Sequence, residues 1–384
     1  MRPWIAGQKP PGGCLAGASG LISGEVGGTV MDGILPRQAL RALIADGAIR
    51  AETEIDADQL QPASLDLRLG AVAHRIRASF LPGEGENIAE KVDTVRLHTI
   101  DLKPGAVLET GCVYLVPLQE SLALPQGIAA STNPKSSTGR LDVFTRVIAD
   151  GAGGFDFAPP GYSGALAVEI SPRTFPVLVR EGSRLSQVRF RRGDARLTDD
   201  ALLALHRREP LAVPQPRIKD GLNVTIDLKP ESGPVGYRAK RHTALIDVDK
   251  RDGLDMAEFW DPITARDGRL ILDPDEFYIL MSREAVAIPP DYAAEMVPFD
   301  PLVGEFRVHY AGFFDPGFGH GTPSRAVLEV RSREVPFILE HGQVVARLSY
   351  ERMAETPETL YGTGIKSNYQ AQSLKLSKHF KAVM

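Results

Sequence analysis

Apolar and polar residues alternate along Val113-Tyr114-Leu115-Val116, Leu166-Ala167-Val168-Glu169-Ile170 and Val327-Leu328-Glu329-Val330, each bounded by Gly, Pro or Ser. A period of two sends successive side chains to opposite faces, so these stretches predict strands. Helical spacing is sparse. Leu40, Leu43 and Ile44 fall at i, i+3 and i+4 with Gly47 behind them, and Thr198 precedes Asp199, Asp200 and the apolar Leu202, Leu203 and Leu205. Each predicts one short helix, the second capped by Thr198.

The landmarks occur twice. Tyr114-Leu115, Leu124-Pro125 and Pro134 return 164 positions later as Tyr278-Ile279, Ile288-Pro289 and Pro298. Glu169, Pro176, Gly182 and Phe190 return 160 positions later as Glu329, Pro336, Gly342 and Tyr350. Two copies of one β unit are implied, with the small change of offset absorbed in loops. The first copy is placed at residues 31–207 and the second at 221–384, joined by a linker at 208–220 that Pro210, Pro214 and Pro216 mark. A chain of 384 residues lets each copy bury its own core. Residues 1–30 carry Arg2, Pro10, Pro11 and many glycines but no continuous apolar run, so they read as a disordered leader and not a secretory signal.

Composition narrows the function. With 37 Gly and 29 Pro, turns are frequent and the chain reads as mainly β. A net charge of −5 argues against a broad nucleic-acid surface, so any polyanion must meet a local cationic site. No stretch is long and apolar enough to suggest a membrane span. Cys14 and Cys112 are too few for a disulfide framework, which points to a reducing, cytoplasmic setting. They are also too few for the Pro-Cys-x-x-Cys element of zinc-dependent base deaminases. The eight histidines show no metal-ligand spacing, and His309 and His341 read as structural or surface residues.

Two features carry candidate chemistry. In Pro134-Lys135-Ser136-Ser137-Thr138-Gly139-Arg140, two cations flank a run of hydroxyls inside a turn after a strand. Hydroxyls and backbone N–H groups suit non-bridging phosphate oxygens, Lys135 adds a point charge, and Arg140 can grip two oxygens at once. A polar surface turn explains the segment equally well. The second copy has Phe299-Asp300-Pro301-Leu302-Val303-Gly304-Glu305 there, without the cations or hydroxyls, which assigns any anion site to the first copy. Glu169 and Glu329 interrupt strands where a core residue is expected. A desolvated carboxyl has a raised pKa, which suits a group that takes and returns a proton. The alternative is a strand glutamate paired with Arg173 or Arg331.

Lys135-Ser136-Ser137-Thr138-Gly139-Arg140, Gly161-Tyr162-Ser163-Gly164 and Glu169 together resemble the dCTP deaminase branch of the dUTPase-like fold. Ile34-Leu35 through Ser64-Leu65-Asp66-Leu67-Arg68-Leu69-Gly70 resembles that family's start, and Tyr361 through Tyr369-Gln370-Ala371-Gln372 its closing tail. The resemblance implies two tandem dUTPase-like domains of distorted jelly-roll or β-barrel type with a few short helices. It implies hydrolytic conversion of dCTP to dUTP and ammonia, feeding dUMP and dTTP synthesis, without zinc. Lys135, Ser136, Ser137 and Arg140 would hold the triphosphate, with Mg²⁺ accompanying it, and a strand glutamate would activate water. Asp156, Tyr162, Asp315, Tyr361 and Gln372 would complete the substrate site. Ligands would be dCTP, dUTP or dTTP, and the assembly a homo-oligomer, as in the family's trimers.

The chain departs from the family at Lys135, which replaces an Arg, and at Asn368, which replaces a Lys. The family's Asp-Pro-Gly element survives only as Asp315-Pro316-Gly317 and reads Pro159-Pro160-Gly161 in the first copy. A threefold ring of first copies would pair the phosphate segment with Glu169. A mixed interface, suggested by Asp315, Tyr361 and Gln372, would pair it with Glu329 instead. Two other readings stay open: a dUTP diphosphatase or a bifunctional deaminase–diphosphatase, with Asp156 activating water, and a non-catalytic nucleotide-binding regulatory protein.

Overall fold

The alternation at 113–116 belongs to an eleven-residue strand, β1 (Val113–Ala123), whose turn through Leu124-Pro125 leads into β2 (Ile128–Pro134). The first copy continues with β3 (Val143–Ala149), β4 (Ser163–Pro172) and β5 (Ser186–Arg192). The second repeats the order with β6 (Phe277–Val286), β7 (Tyr292–Pro298), the short β8 (Arg307–His309), β9 (Ser324–Arg331) and β10 (Val344–Arg352). The computed structural model describes residues 31–298, 307–309, 312–332, 334–363 and 374–381. The expected leader, the second-copy segment 299–305, Asn368 and Gln372 lie outside the described residues.

Pairing is the same in both copies. β4 lies antiparallel between β1 and β3, as β9 does between β6 and β8, while β2 pairs with β5 and β7 with β10. Glu169 stands opposite Leu115, and Glu329 opposite the equivalent Ile279. Even a side-chain detail recurs: the Tyr114 hydroxyl accepts from the Glu109 N–H and the Tyr278 hydroxyl from the Asp273 N–H, both at 3.0 Å. Among the described residues there are 26 strands and five short helices, so the fold is mainly β, in two tandem units.

Both expected helices form, as α1 (Arg37–Ala45) and α4 (Asp199–Arg208), and the Thr198 hydroxyl accepts from the Ala201 N–H at 3.3 Å. Between them come α2 (Ile88–Val95) and the single turn α3 (Ser136–Gly139), neither evident from apolar spacing. Asn87 caps α2, accepting from the Glu90 N–H at 2.8 Å, and Ile88 and Val92 bury its inner face.

The second copy buries a cluster of its own, but the first copy's core is shared. Met31–Met384 forms one compact unit, and the main apolar cluster of the first copy takes in Tyr237, Ala239, Trp260, Phe277, Ile279 and Phe380 from the second. Phe175 meets Phe259 and Trp260 edge-on at 5.7 and 5.4 Å, contacts worth about 0.5–1.5 kcal/mol each beyond their burial. Ile246-Asp247 adds a parallel strand beside Val177–Val179. The presumed linker is packed as well, with Leu211 and Ala212 buried in the second cluster.

This sharing treats two equivalent sheet faces differently. On β4, Val168 and Ile170 face the main core, while Ala167 faces a small cluster with Leu115, Ile148 and the α2 residues Ile88 and Val92. On β9, Leu328 and Val330 face the second core, while Val327 packs on the shared cluster. Because side chains alternate, Glu169 lies under α2 of its own copy, and Glu329 faces the other copy.

Candidate active site

Segment 135–140 leaves the end of β2 as one helical turn. The Lys135 carbonyl accepts from the N–H groups of Thr138 (2.8 Å) and Gly139 (3.0 Å), and the Thr138 hydroxyl donates to the Leu185 carbonyl at 2.8 Å. Lys135 forms an ion pair with Asp66, which is almost fully buried. Ser136 is half-buried and Ser137 buried. The chain's last described stretch, 374–381, docks here: the Ser377 hydroxyl donates to the Ser137 carbonyl, and Arg140 Nη1 donates to the Lys375 carbonyl, both at 2.8 Å. Burial, with the nearby cations Lys135 and Arg251, brings the Lys378 ammonium down to about 8. The segment, Arg251 and the tail thus share one electropositive neighbourhood.

Glu329 completes this neighbourhood from the second copy. An added Cβ at Gly139 would stand 2.5 Å from Glu329 Oε2 and 2.9 Å from Oε1, so the carboxyl occupies the space that a side chain would need. Burial pushes its pKa well above the ordinary glutamate range. Arg140 pulls it down and Asp142 pushes it up, neither enough to reverse the effect of burial.

Glu169 is placed otherwise. Its Oε1 accepts from Arg146 at 2.7 and 3.3 Å, and the Arg146 guanidinium lies 3.7 Å from the Phe155 ring centroid and 4.9 Å from that of Phe144. Oε2 is buried and has no hydrogen-bond partner among the described residues. The structure brings Glu329, and not Glu169, against the phosphate segment, which departs from the threefold-ring argument. Within one chain this follows from the shared apolar cluster, which turns that face of β9 toward the first copy. The expected pairing partners change too: Glu169 meets Arg146 and not Arg173, and Arg331 pairs with Asp142 and not with Glu329.

The other expected residues divide between the site and the scaffold. Asp315 is largely but not fully buried beside Arg189, whose Nη2 donates to it at 3.1 Å; desolvation raises its pKa, Arg189 opposes this, and the nearby Asp66 adds to it. Asp315 thus neighbours the Asp66–Lys135 pair. Tyr361 is hydrogen-bonded through its N–H to the Pro316 carbonyl at 2.8 Å, and its ring lies 5.6 Å from Phe318. Tyr162 instead holds its own turn: its hydroxyl donates to the Ala165 carbonyl (2.5 Å) and accepts from the Asp150 N–H (2.9 Å), and burial pushes it up to about 12. Asp156 Oδ1 accepts from the Thr132 hydroxyl (2.9 Å) and the Val147 N–H (2.8 Å), which commits it to bracing β3. Asp66, Asp142 and Lys378 were not evident from the sequence as members of this neighbourhood, and Arg331 only as a partner for the strand glutamate. The Lys375, Lys378, Lys381 spacing in the tail was the available signal for Lys378.

A cleft of about 580 Å³ beside α1, lined by residues such as Gln38, Pro125 and Glu355, contains none of the candidate residues. Among the described residues no group of three or more His, Cys, Asp or Glu is placed to hold a metal ion, and no helix is long and apolar enough to cross a membrane.

Comparison with known proteins points the same way. Residues 31–194 match the family model described as the 2'-deoxycytidine 5'-triphosphate deaminase N-terminal domain, and residues 198–380 match that of its C-terminal domain. The crystal structure of 2'-deoxycytidine 5'-triphosphate deaminase from Agrobacterium tumefaciens is similar with a TM-score of 0.82 and 62% identity, over 85% of this chain and 99% of that one. A protein named dCTP deaminase, dUMP-forming, from Methanobrevibacter smithii is 29% identical over 162 residues, 41% of this chain and 79% of that protein. One named dCTP deaminase, from Haloarcula marismortui, is 33% identical over 134 residues, 34% of this chain and 66% of that protein.

Proposed function

Because the chain belongs to the 2'-deoxycytidine 5'-triphosphate deaminase family, we propose that it converts dCTP and water to dUTP and ammonia at the boundary between its two copies. Glu329 moves the protons, and segment 135–140 grips the triphosphate. The observation that carries this reading is the buried Glu329 carboxyl lodged against Gly139, inside the segment that bears the cations. A carboxyl with a raised pKa both takes a proton and returns it near neutral pH.

Ionised Glu329 accepts a proton from water as the oxygen attacks the ring carbon bearing the amino group. Of the two water protons, one ends on the departing nitrogen and the other on the adjacent ring nitrogen, leaving a carbonyl. Arg140, the last residue of the segment and near enough to Glu329 to lower its pKa, serves both triphosphate binding and the charge balance of the acid. Mg²⁺ would enter with the triphosphate as part of the substrate and screen its charge. Tyr361 and the tail close over the nucleotide. Homo-oligomer formation, with a trimer as the expected form, and a cytoplasmic location belong to the same proposal. Sedimentation and fractionation test them.

Relatives named dUMP-forming make direct release of dUMP the competing outcome. Asp156, the candidate for a second water-activating acid, supports dUTP release because it is engaged by Thr132 and Val147. Incubation with dCTP and Mg²⁺ followed by chromatography should yield dUTP and ammonia in equal amounts. Accumulation of dUMP and pyrophosphate would overturn the product assignment.

A further inference from the structure

Asp142 and Arg331 form a buried ion pair that crosses from one copy to the other, with side chains only 1% and 6% exposed. Asp142 follows the phosphate segment in a left-handed backbone conformation (φ 55°), with its N–H bonded to the Gly139 carbonyl at 2.9 Å. Arg331 lies two residues beyond Glu329 on β9 and therefore on the same face. Thr174 joins the pair: its hydroxyl donates to Asp142 Oδ2 at 2.5 Å and accepts from Arg331 Nη2 at 2.9 Å. Arg331 Nη1 donates to the Asp275 carbonyl at 2.5 Å, and the guanidinium sits 6.0 Å from the Phe277 ring centroid.

Two observations separate this pair from ordinary scaffolding. A buried ion pair contributes little net stability over an apolar pair of similar size, so its main effects are on geometry and charge. The fold does not require it either, since the equivalent position on β4 is the buried Ser171. We propose that the Asp142–Arg331 pair is a positioning device for the reaction: it fastens the glutamate strand to the phosphate segment and balances the charge around Glu329. This rests on the assignment of Glu329 as the proton-transferring group. Arg140 and Asp142 face Glu329 from the first copy and Arg331 flanks it on β9; His309 is its backbone partner on β8.

The balance gives opposite signatures. Asp142→Asn leaves the Arg331 cation uncompensated, favours ionised Glu329, and moves the acidic limb of the kcat–pH profile down by roughly 1 unit. Arg331→Met leaves the Asp142 anion, disfavours ionised Glu329, and moves that limb up by a similar amount. The double variant returns it close to wild type, and Arg331→Lys leaves it in place. All three non-conservative variants lower kcat more than they raise KM for dCTP, because the triphosphate contacts remain. If Arg331→Met does not fold, the contrast between Asp142→Asn and Arg331→Lys carries the test. Limbs that stay put, or move the same way in both single variants, reduce the pair to scaffolding. Glu329→Gln separates the two claims: if it retains turnover, the glutamate assignment fails, and if it is inactive while the limbs do not move, only the brace fails.

Discussion

β4 and β9 are the same strand built twice, with a glutamate at the same register, and they have opposite fates. Glu169 lies on the face of β4 that packs α2 of its own copy, and forms an ion pair with Arg146 in the same sheet. Glu329 is covered by the other copy, next to Gly139, and burial there raises its pKa well above the ordinary glutamate range. Identical backbone placement therefore does not decide a carboxyl's surroundings; what packs on the open face of the sheet does. On the reading proposed above, each copy of this duplicated chain supplies half of one site, the first its cations and hydroxyls and the second its acid.

The sharpest way to break this comparison is to neutralise each glutamate in turn. Glu329→Gln should cut kcat by ~10²–10⁴-fold, the usual worth of general acid–base catalysis, while calorimetry still detects dCTP binding. Glu169→Gln should leave turnover within several-fold of wild type. The reverse pattern would move the chemistry to the α2-covered face and undo the reading of the copy boundary.

Gly139 tests the contact itself. The Cβ of Gly139→Ala would meet the Glu329 carboxyl, so the acid must shift, and a displacement near 1 Å can cost up to ~10²-fold in kcat. An alanine variant with normal turnover would show that Glu329 need not sit there. Arg140→Ala should weaken dCTP binding by about 1.5–3 kcal/mol, the scale of a charge-assisted hydrogen bond. That is measured as Kd in the Glu329→Gln background, where turnover does not interfere. Glu305→Ala, in the second-copy counterpart of the segment, should change Kd little.

Much of this was legible in the sequence because duplication writes the same constraints twice. The recurrence of Tyr114 as Tyr278 and of Glu169 as Glu329 predicted equivalent strands, and the apolar spacing around Leu40 and Leu202 predicted α1 and α4. The segment 135–140 stood out because its cations and hydroxyls vanish from the second copy. The choice between the glutamates was not legible, since both strands alternate alike and only the packing of Phe277, Ile279 and Trp260 into the first copy's core distinguishes their faces. Tyr162 shows the limit of motif reasoning: its place in a recognisable loop suggested substrate contact, whereas its hydroxyl is used twice by its own turn. Asp142 and Arg331 lie 189 residues apart, and no local pattern joins them.

The smallest expected effect concerns stability and separates the copies through Asp156, whose counterpart in the second copy, Gly312, carries no acid. The Thr132 N–H bonds to the Asp156 carbonyl as the Met296 N–H bonds to that of Gly312, both at 3.0 Å, so the backbone is equivalent and only the side chain differs. Burial raises the Asp156 carboxyl from 3.8 to about 6, against its hydrogen bonds from Val147 and Thr132. The folded chain then holds this proton more tightly than the unfolded chain. Above about pH 6 the ionised, buried carboxylate opposes folding in full; as pH falls from 6 toward 3.8 that opposition is relieved, by on the order of 1–3 kcal/mol in total. Asp156→Asn keeps an oxygen to accept from Thr132 and Val147 and has no proton to bind. Urea unfolding from pH 7 down to pH 4 should therefore show wild type gaining stability relative to the variant, with the gap closing on acidification. Glu329 titrates in the same direction, so the comparison is made with Glu329→Gln in both backgrounds. A wild-type and variant difference that stays constant across that window would mean that Asp156 ionises as an ordinary surface acid, and that the first copy's loop is not set apart from the second by a buried charge.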